Sequence, residues 1–187
     1  MFVLASQSPR RKELMGKYIA SSFLIDPSNS DELQNDNLSP EENVMNIAKT
    51  KGENVFLRHP DDIIISADTI VVLDNKIYGK PKDEEDAYDI LKKLSGKTHF
   101  VITAYYIKTK SIIIERIVKS KVYFNSLSDE FILSYIKTKI PMDKAGAYAI
   151  QDEYGKQIVN HYEGSLSNII GFPYEEIIKD LKNNQLL

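Results

Sequence analysis

Short β-branched runs alternate with segments that open on helix-start signals, and no other feature of the chain constrains its fold as strongly. Ser8-Pro9 sets a capping hydroxyl before a proline at the first helical position, predicting a helix to about Tyr18. Ser39-Pro40-Glu41-Glu42 repeats the device and adds a capping box, Ser39 facing Glu42, for a helix to about Leu57. Asp83 opens a helix over Glu84–Leu94 that Gly96 ends, and Ser128 opens another to about Lys137. Phe2–Ala5, Asp62–Ala67, Phe100–Lys108 and Ile112–Phe124 read as strands. Ile70–Leu73 turns through Asp74-Asn75 into Ile77-Tyr78 as a hairpin. Strands at Ala147–Ile150 and Gln157–Tyr162 and a closing helix over Tyr174–Leu181 complete the pattern. Hairpins and helical crossovers together predict an α/β fold with a mixed twisted sheet and flanking helices.

The chain has 187 residues, a length for one domain spanning 1–187. It contains no cysteine, which excludes disulfides, thiol nucleophiles and Cys-based zinc sites together. His59, His99 and His161 are scattered and form no ligand pair at helical spacing. The longest apolar runs, around Ile63–Ile65 and Ile112–Ile114, fall well short of the ~18 residues a membrane span needs. The N-terminus lacks a basic region before a long apolar segment, so no signal peptide is expected and the cytoplasm is the expected location. With 24 Lys+Arg against 27 Asp+Glu the net charge is −3, which argues against a nucleic-acid coat.

Local rules are broken at a few places. Arg10, Arg11 and Lys12 crowd cations into the first turn of a helix, where the macrodipole favours anions. A bound polyanion, met by free N–H groups, the Ser6 and Ser8 hydroxyls and two guanidiniums, would remove the conflict; a solvated basic helix start is the alternative. No Gly-x4-Gly-Lys-Ser/Thr string is present, so this is not a Walker loop. Asp68-Thr69 follows the apolar run Ile63–Ala67, where α/β folds present ligands. Asp68 suits a Mg²⁺ ligand or a base for water, or it merely starts the hairpin. Lys80, in Gly79-Lys80-Pro81, reads as a phosphate contact or an ordinary loop lysine. Gln151 carries an amide able to read a base edge. The stretch Asp26–Leu38 reads as a long loop.

The string Leu4-Ala5-Ser6-Gln7-Ser8-Pro9-Arg10-Arg11-Lys12-Glu13-Leu14 resembles the opening signature of the Maf family of nucleoside triphosphate pyrophosphatases. Ala67-Asp68-Thr69-Ile70-Val71, Gly79-Lys80-Pro81, the block Pro141–Gln151 and Ile170-Gly171-Phe172-Pro173 match in order, so the resemblance spans nearly the whole chain. It implies two lobes around a cleft and hydrolysis of a nucleoside triphosphate to the monophosphate and pyrophosphate with a divalent cation, Mg²⁺ or Mn²⁺. By resemblance Asp68 is the proton acceptor, and Arg10, Thr69 and Gln151 set substrate choice, in the pattern of the branch acting on dTTP and UTP, with modified pyrimidine nucleotides as further candidates. Ser6, Ser8, Arg11, Lys51 and Lys80 match positions around the triphosphate, while Glu32 and Asp68 match metal-holding positions. Homodimers occur among such proteins, so a second copy of the chain is one expected partner. Departures fall at Ile140, where relatives carry Glu, at Asp152, where Gly follows the Gln, and at Ser165, where Asp follows the Gly. The competing expectations are a non-enzymatic nucleotide-binding regulator of cell division and a 7-methyl-GTP pyrophosphatase.

Overall fold

In the computed structural model, which describes residues 1–30 and 33–187, helices begin where the capping residues place them. These are α1 (Pro9–Tyr18), α2 (Pro40–Phe56), α3 (Glu84–Leu94) and α4 (Asp129–Lys137); α5 (Gly155–Ile158), α6 (Leu166–Ile170) and α7 (Tyr174–Asn183) follow with no capping residue legible in the sequence. The capping box of α2 is complete: Ser39 Oγ accepts from the Glu42 N–H at 3.2 Å, and Glu42 Oε2 accepts from the Ser39 N–H at 2.8 Å. Asp83 and Ser128 cap α3 and α4 through their side chains. Ser8 differs. Its carbonyl starts α1, but its side chain makes no capping bond.

The strands are β1 (Phe2–Leu4), β2 (Leu24–Ile25), β3 (Ile63–Leu73), β4 (Lys76–Tyr78), β5 (Thr98–Lys108), β6 (Ile113–Phe124) and β7 (Val159–Glu163). They form one seven-stranded sheet in the order β2-β1-β3-β5-β6-β7, with β4 paired to β3. β1 runs parallel to β2 and β3, while β3–β4 and β6–β7 are antiparallel, so the sheet is mixed as the sequence predicts. Asp74 and Asn75 turn the β3–β4 hairpin with φ of 50° and 61°, the left-handed values that a tight two-residue turn requires.

Three expectations need correction. The predicted runs Asp62–Ala67 and Ile70–Leu73 are one continuous strand, β3, so Asp68 and Thr69 lie inside a strand rather than after it. Ala147–Ile150 is not a strand. Gly146 and Ala147 are left-handed, with φ of 70° and 57°, and residues 145–147 form a 3-10 turn. A Cβ on Gly146 would lie 2.7 Å from Val71, and the Gly146 N–H donates to the Gly79 carbonyl at 3.0 Å, so the chain turns tightly there. The last predicted strand begins only at Val159, because its first residues, Gln157 and Ile158, belong to the helical turn α5, before which the Asp152 carboxylate accepts the Gly155 N–H at 2.5 Å.

The chain divides into two units, 1–69 with 103–118 and 166–187, and 70–102 with 119–165. In the first unit β3 alternates between two apolar clusters. Ile64 packs with Val3, Ala5 and Val55. Ile65 and Ala67 pack with Leu4, Met15, Phe172, Ile177 and Leu181. In the second unit Leu91, Leu94, Val122, Ile132, Tyr148 and Ile158 are buried.

Candidate functional site

The same alternation that splits the first unit's core sorts its polar side chains. On the α2 side of β3, Ser66 Oγ donates to the Ala48 carbonyl at 2.7 Å. Gly52 lets the helix close in: a Cβ there would lie 2.4 Å from the Tyr106 ring and 2.7 Å from Ser66 Oγ. That approach brings the neighbouring Lys51 onto Asp68, two residues beyond Ser66 on the same strand face. Lys51 Nζ donates to Asp68 Oδ1 at 2.8 Å, and both residues are 8% exposed. Removing such charges from water is costly unless each meets its counterpart, and here each does.

Thr69 belongs to the other side of the strand. Its hydroxyl meets Arg11, and the Arg11 guanidinium is the hub of this cluster. Nε donates to the Gly171 carbonyl at 2.9 Å, Nη1 to the Ala67 carbonyl at 2.8 Å and to Ser6 Oγ at 3.4 Å, and Nη2 to Thr69 Oγ1 at 3.0 Å. The direction of the next bonds follows from the donor inventory. Thr103 Oγ1 donates to the Asn168 carbonyl at 3.1 Å, and Thr69 Oγ1 has two acceptors in reach, Thr103 Oγ1 at 3.0 Å and the Gly171 carbonyl at 3.5 Å. The Thr69 proton therefore has acceptors within the protein. Gly171, with φ of 106°, presses close enough that a Cβ would sit 3.2 Å from Thr69 Oγ1.

The remaining expected residues of this unit surround the start of α1. Ser6 is buried, and its Oγ accepts the Ser8 N–H at 3.2 Å as well as the Arg11 bond. Ser8 and Arg10 are half-buried. Glu32 lies outside the described residues. The flanking loop is tied to α2 on both sides of it, by Asn54 Oδ1 to the Asn29 N–H at 3.2 Å and by Asn43 Oδ1 to the Asn35 N–H at 2.8 Å. Among the described residues no group of three or more His, Asp or Glu side chains could hold a metal ion. The Lys51 bond takes one Asp68 oxygen, and the second suits a hard cation that draws its other ligands from substrate phosphates and water.

Lys80 and Gln151 belong to the second unit, and both are exposed. The Gly146–Gly79 backbone bond joins the segment before Lys80 to the block that leads to Gln151. Lys144 turns inward, donating to the Ile140 carbonyl at 2.8 Å and to Asp143 at 2.6 Å. Tyr148 is buried and its hydroxyl lies 2.9 Å from His99 Nε2. Burial pushes the His99 imidazole down to about 3, so it is neutral. Burial pushes the Tyr148 and Tyr135 phenols far above their ordinary value, so both stay protonated. Thr103 and Tyr135 escaped notice in the sequence because each sits in an apolar pattern where its side chain reads as core.

The family model described as Maf-like protein matches residues 1–184. A dTTP/UTP pyrophosphatase of Caldicellulosiruptor saccharolyticus is 50% identical over 177 residues, covering 91% of this chain and 88% of that protein. The dTTP/UTP pyrophosphatase of Pyrococcus furiosus is 45% identical, covering 95% and 92%. That of Bacillus velezensis is 43% identical, covering 96% and 94%. No described helix is long and apolar enough to cross a membrane. The continuity of these matches from the first block to the last shows that the chain belongs to the Maf-like protein family.

Proposed function

We propose that residues 1–187 work as one domain that hydrolyses dTTP and UTP to the monophosphate and pyrophosphate. The observation that carries this reading is the buried Lys51–Asp68 pair on an interior strand, in a chain whose relatives of 43–50% identity are dTTP/UTP pyrophosphatases. The reaction joins a water oxygen to the α-phosphorus and breaks the bond to the β-phosphate oxygen. Pyrophosphate leaves, and the water proton passes to Asp68, which accepts it as a base positioned by Lys51. Transfer at phosphorus depends mostly on positioning and charge neutralisation. Arg10, Lys51 and Lys80 supply positive charge, and Ser6 and Ser8 line the start of α1. Arg11 holds the first unit's polar cluster together while adding its charge to the same field. A Mg²⁺ or Mn²⁺ ion would be held by Glu32 and, were that carboxylate a metal ligand in place of a base, by Asp68, and would supply further neutralisation of the phosphate oxygens.

Base choice is assigned to Arg10, Thr69 and Gln151. Because the Thr69 proton has acceptors within the protein in Thr103 and the Gly171 carbonyl, its hydroxyl is suited to offer a base a lone pair, whereas the Gln151 amide offers both a donor and an acceptor. The test is pyrophosphate release from dTTP, UTP, CTP, GTP and 7-methyl-GTP with Mg²⁺ or Mn²⁺. Release from dTTP and UTP above the others is expected. Tight nucleotide binding without release would end the reading.

A further inference from the structure

We propose that Tyr135 and Asp152 are positioning residues for nucleotide discrimination, a hydroxyl–carboxylate clamp that fixes the turn bearing Gln151; the inference rests on the assignment of Gln151 to base recognition. Tyr135 projects from α4, and its hydroxyl takes part in two bonds of settled direction. The Ala149 N–H can only donate, so Tyr135 Oη accepts from it at 3.2 Å. The Asp152 carboxylate accepts at Oδ2, so the phenol donates to it at 3.0 Å. Asp152 Oδ1 in turn accepts the Gly155 N–H. A single phenol thereby holds both flanks of the segment 149–152.

Packing closes the same loop. A Cβ on Gly155 would lie 2.0 Å from the Ala149 carbonyl oxygen and 2.8 Å from the Ile150 carbonyl carbon, so the chain at 155 rests directly on the backbone before Gln151. The Tyr154 ring stacks on Tyr135 with centroids 4.7 Å apart and planes within 19°. On the upstream side, Tyr148 is held by His99. Gln151 is the exposed residue of a turn whose neighbours are fixed on every side, so the direction of its side chain is set by groups that touch no nucleotide. A misplacement of about 1 Å can cost a reaction up to about 100-fold, so a loosened turn is read out as lost discrimination.

The experiment compares wild type, Tyr135→Phe, Asp152→Asn, Gln151→Ala and the Tyr135→Phe/Gln151→Ala double variant by kcat and KM for dTTP and GTP. Tyr135→Phe keeps the ring stack and removes only the hydroxyl. We expect the dTTP-to-GTP ratio of kcat/KM to fall about tenfold, through KM for dTTP rather than kcat. Asp152→Asn, which retains one acceptor oxygen, moves the ratio the same way by less. The double variant should discriminate no worse than Gln151→Ala alone, because the clamp acts through that residue. An unchanged ratio in Tyr135→Phe and Asp152→Asn, with Gln151→Ala altered, would overturn the clamp alone, as would multiplying losses in the double variant. A wild type that releases no pyrophosphate, or an unaltered Gln151→Ala, would instead overturn the underlying assignment. Circular dichroism checks folding, and should Tyr135→Phe not fold, Asp152→Asn decides.

Discussion

The Lys51 ammonium lies 2.8 Å from Asp68 Oδ1, and the two side chains are only 10% and 12% exposed. Their pairing is favoured by Gly52, which lets α2 approach β3 closely enough for Lys51 to reach Asp68. Thr69, the next residue along, bonds on the opposite face with Arg11 and Thr103. Adjacent residues of one strand thus carry two separate polar clusters, because successive side chains in a strand point to opposite faces.

Replacing Asp68 by Asn has two distinguishable consequences. Pyrophosphate release from dTTP should fall at least about 100-fold, the usual scale for a lost proton acceptor. Stability should fall as well, by about 3 kcal/mol, since the Lys51 charge stays buried opposite a neutral amide. Lys51→Met combined with Asp68→Asn should recover most of the melting temperature and none of the turnover. Near-normal hydrolysis of dTTP by Asp68→Asn would remove the carboxylate from the chemistry.

Thr103 ends the chain of bonds that begins at Arg11. Thr103→Val matches the shape but cannot donate to the Asn168 carbonyl or accept from Thr69. Both groups then lose a buried partner, at a cost of about 2 kcal/mol in denaturant unfolding. Thr103→Ser keeps the hydroxyl and should lose less than half of that. Equal losses in the two variants would mean that the methyl packing, not the bond chain, is what matters there.

The helices and their starts were legible because capping is a local device: Ser39, Asp83 and Ser128 each bond within the next three residues. What was not legible depends on distant approach. Nothing near Gly146 in the sequence announces Val71, and without that contact the stretch Ala147–Ile150 reads as a strand. Leu24–Ile25 is too short a strand to show any period, and it forms only because β1 offers it an edge. At the site, the cations of α1 were visible as a breach of the dipole rule, but their fates differ. Arg11 turns to Gly171, 160 residues away in sequence, a partner no local pattern could supply. Asp68 stood out as a charge directly after an apolar run, though its place inside a continuous strand did not, whereas Thr103 and Tyr135 looked like ordinary β-branched and aromatic filling.

Arg11 tests whether charge or shape matters at the hub. Its planar fork bonds two carbonyls and two hydroxyls, a set that one lysine ammonium cannot span. Arg11→Lys keeps the positive charge and should still lower stability by about 2 kcal/mol, leaving buried acceptors unmet. It should also raise KM for dTTP, since Thr69 loses its donor. Unaltered unfolding in Arg11→Lys would show that the charge alone suffices.

His99 makes the acid limb of the stability curve a further test. The ring packs edge-on against Phe124 and Tyr148, at centroid distances of 4.7 Å and 5.5 Å, and its buried Nδ1 has no hydrogen-bond partner among the described residues. Burial lowers its pKa from 6.5 to about 3. A histidine depressed in the folded state binds fewer protons there than in the unfolded chain. Its contribution is therefore complete above pH 6.5 and is lost progressively as the pH falls towards 3. Each pH unit within that window costs up to about 1.4 kcal/mol. In His99→Gln, which cannot titrate yet can still bond the Tyr148 hydroxyl, the melting temperature should decline less steeply between about pH 6.5 and pH 4.5. At neutral pH the same variant should melt lower, having lost the ring contacts. Parallel acid limbs for wild type and His99→Gln would mean that the imidazole gains its proton without unfolding the second unit.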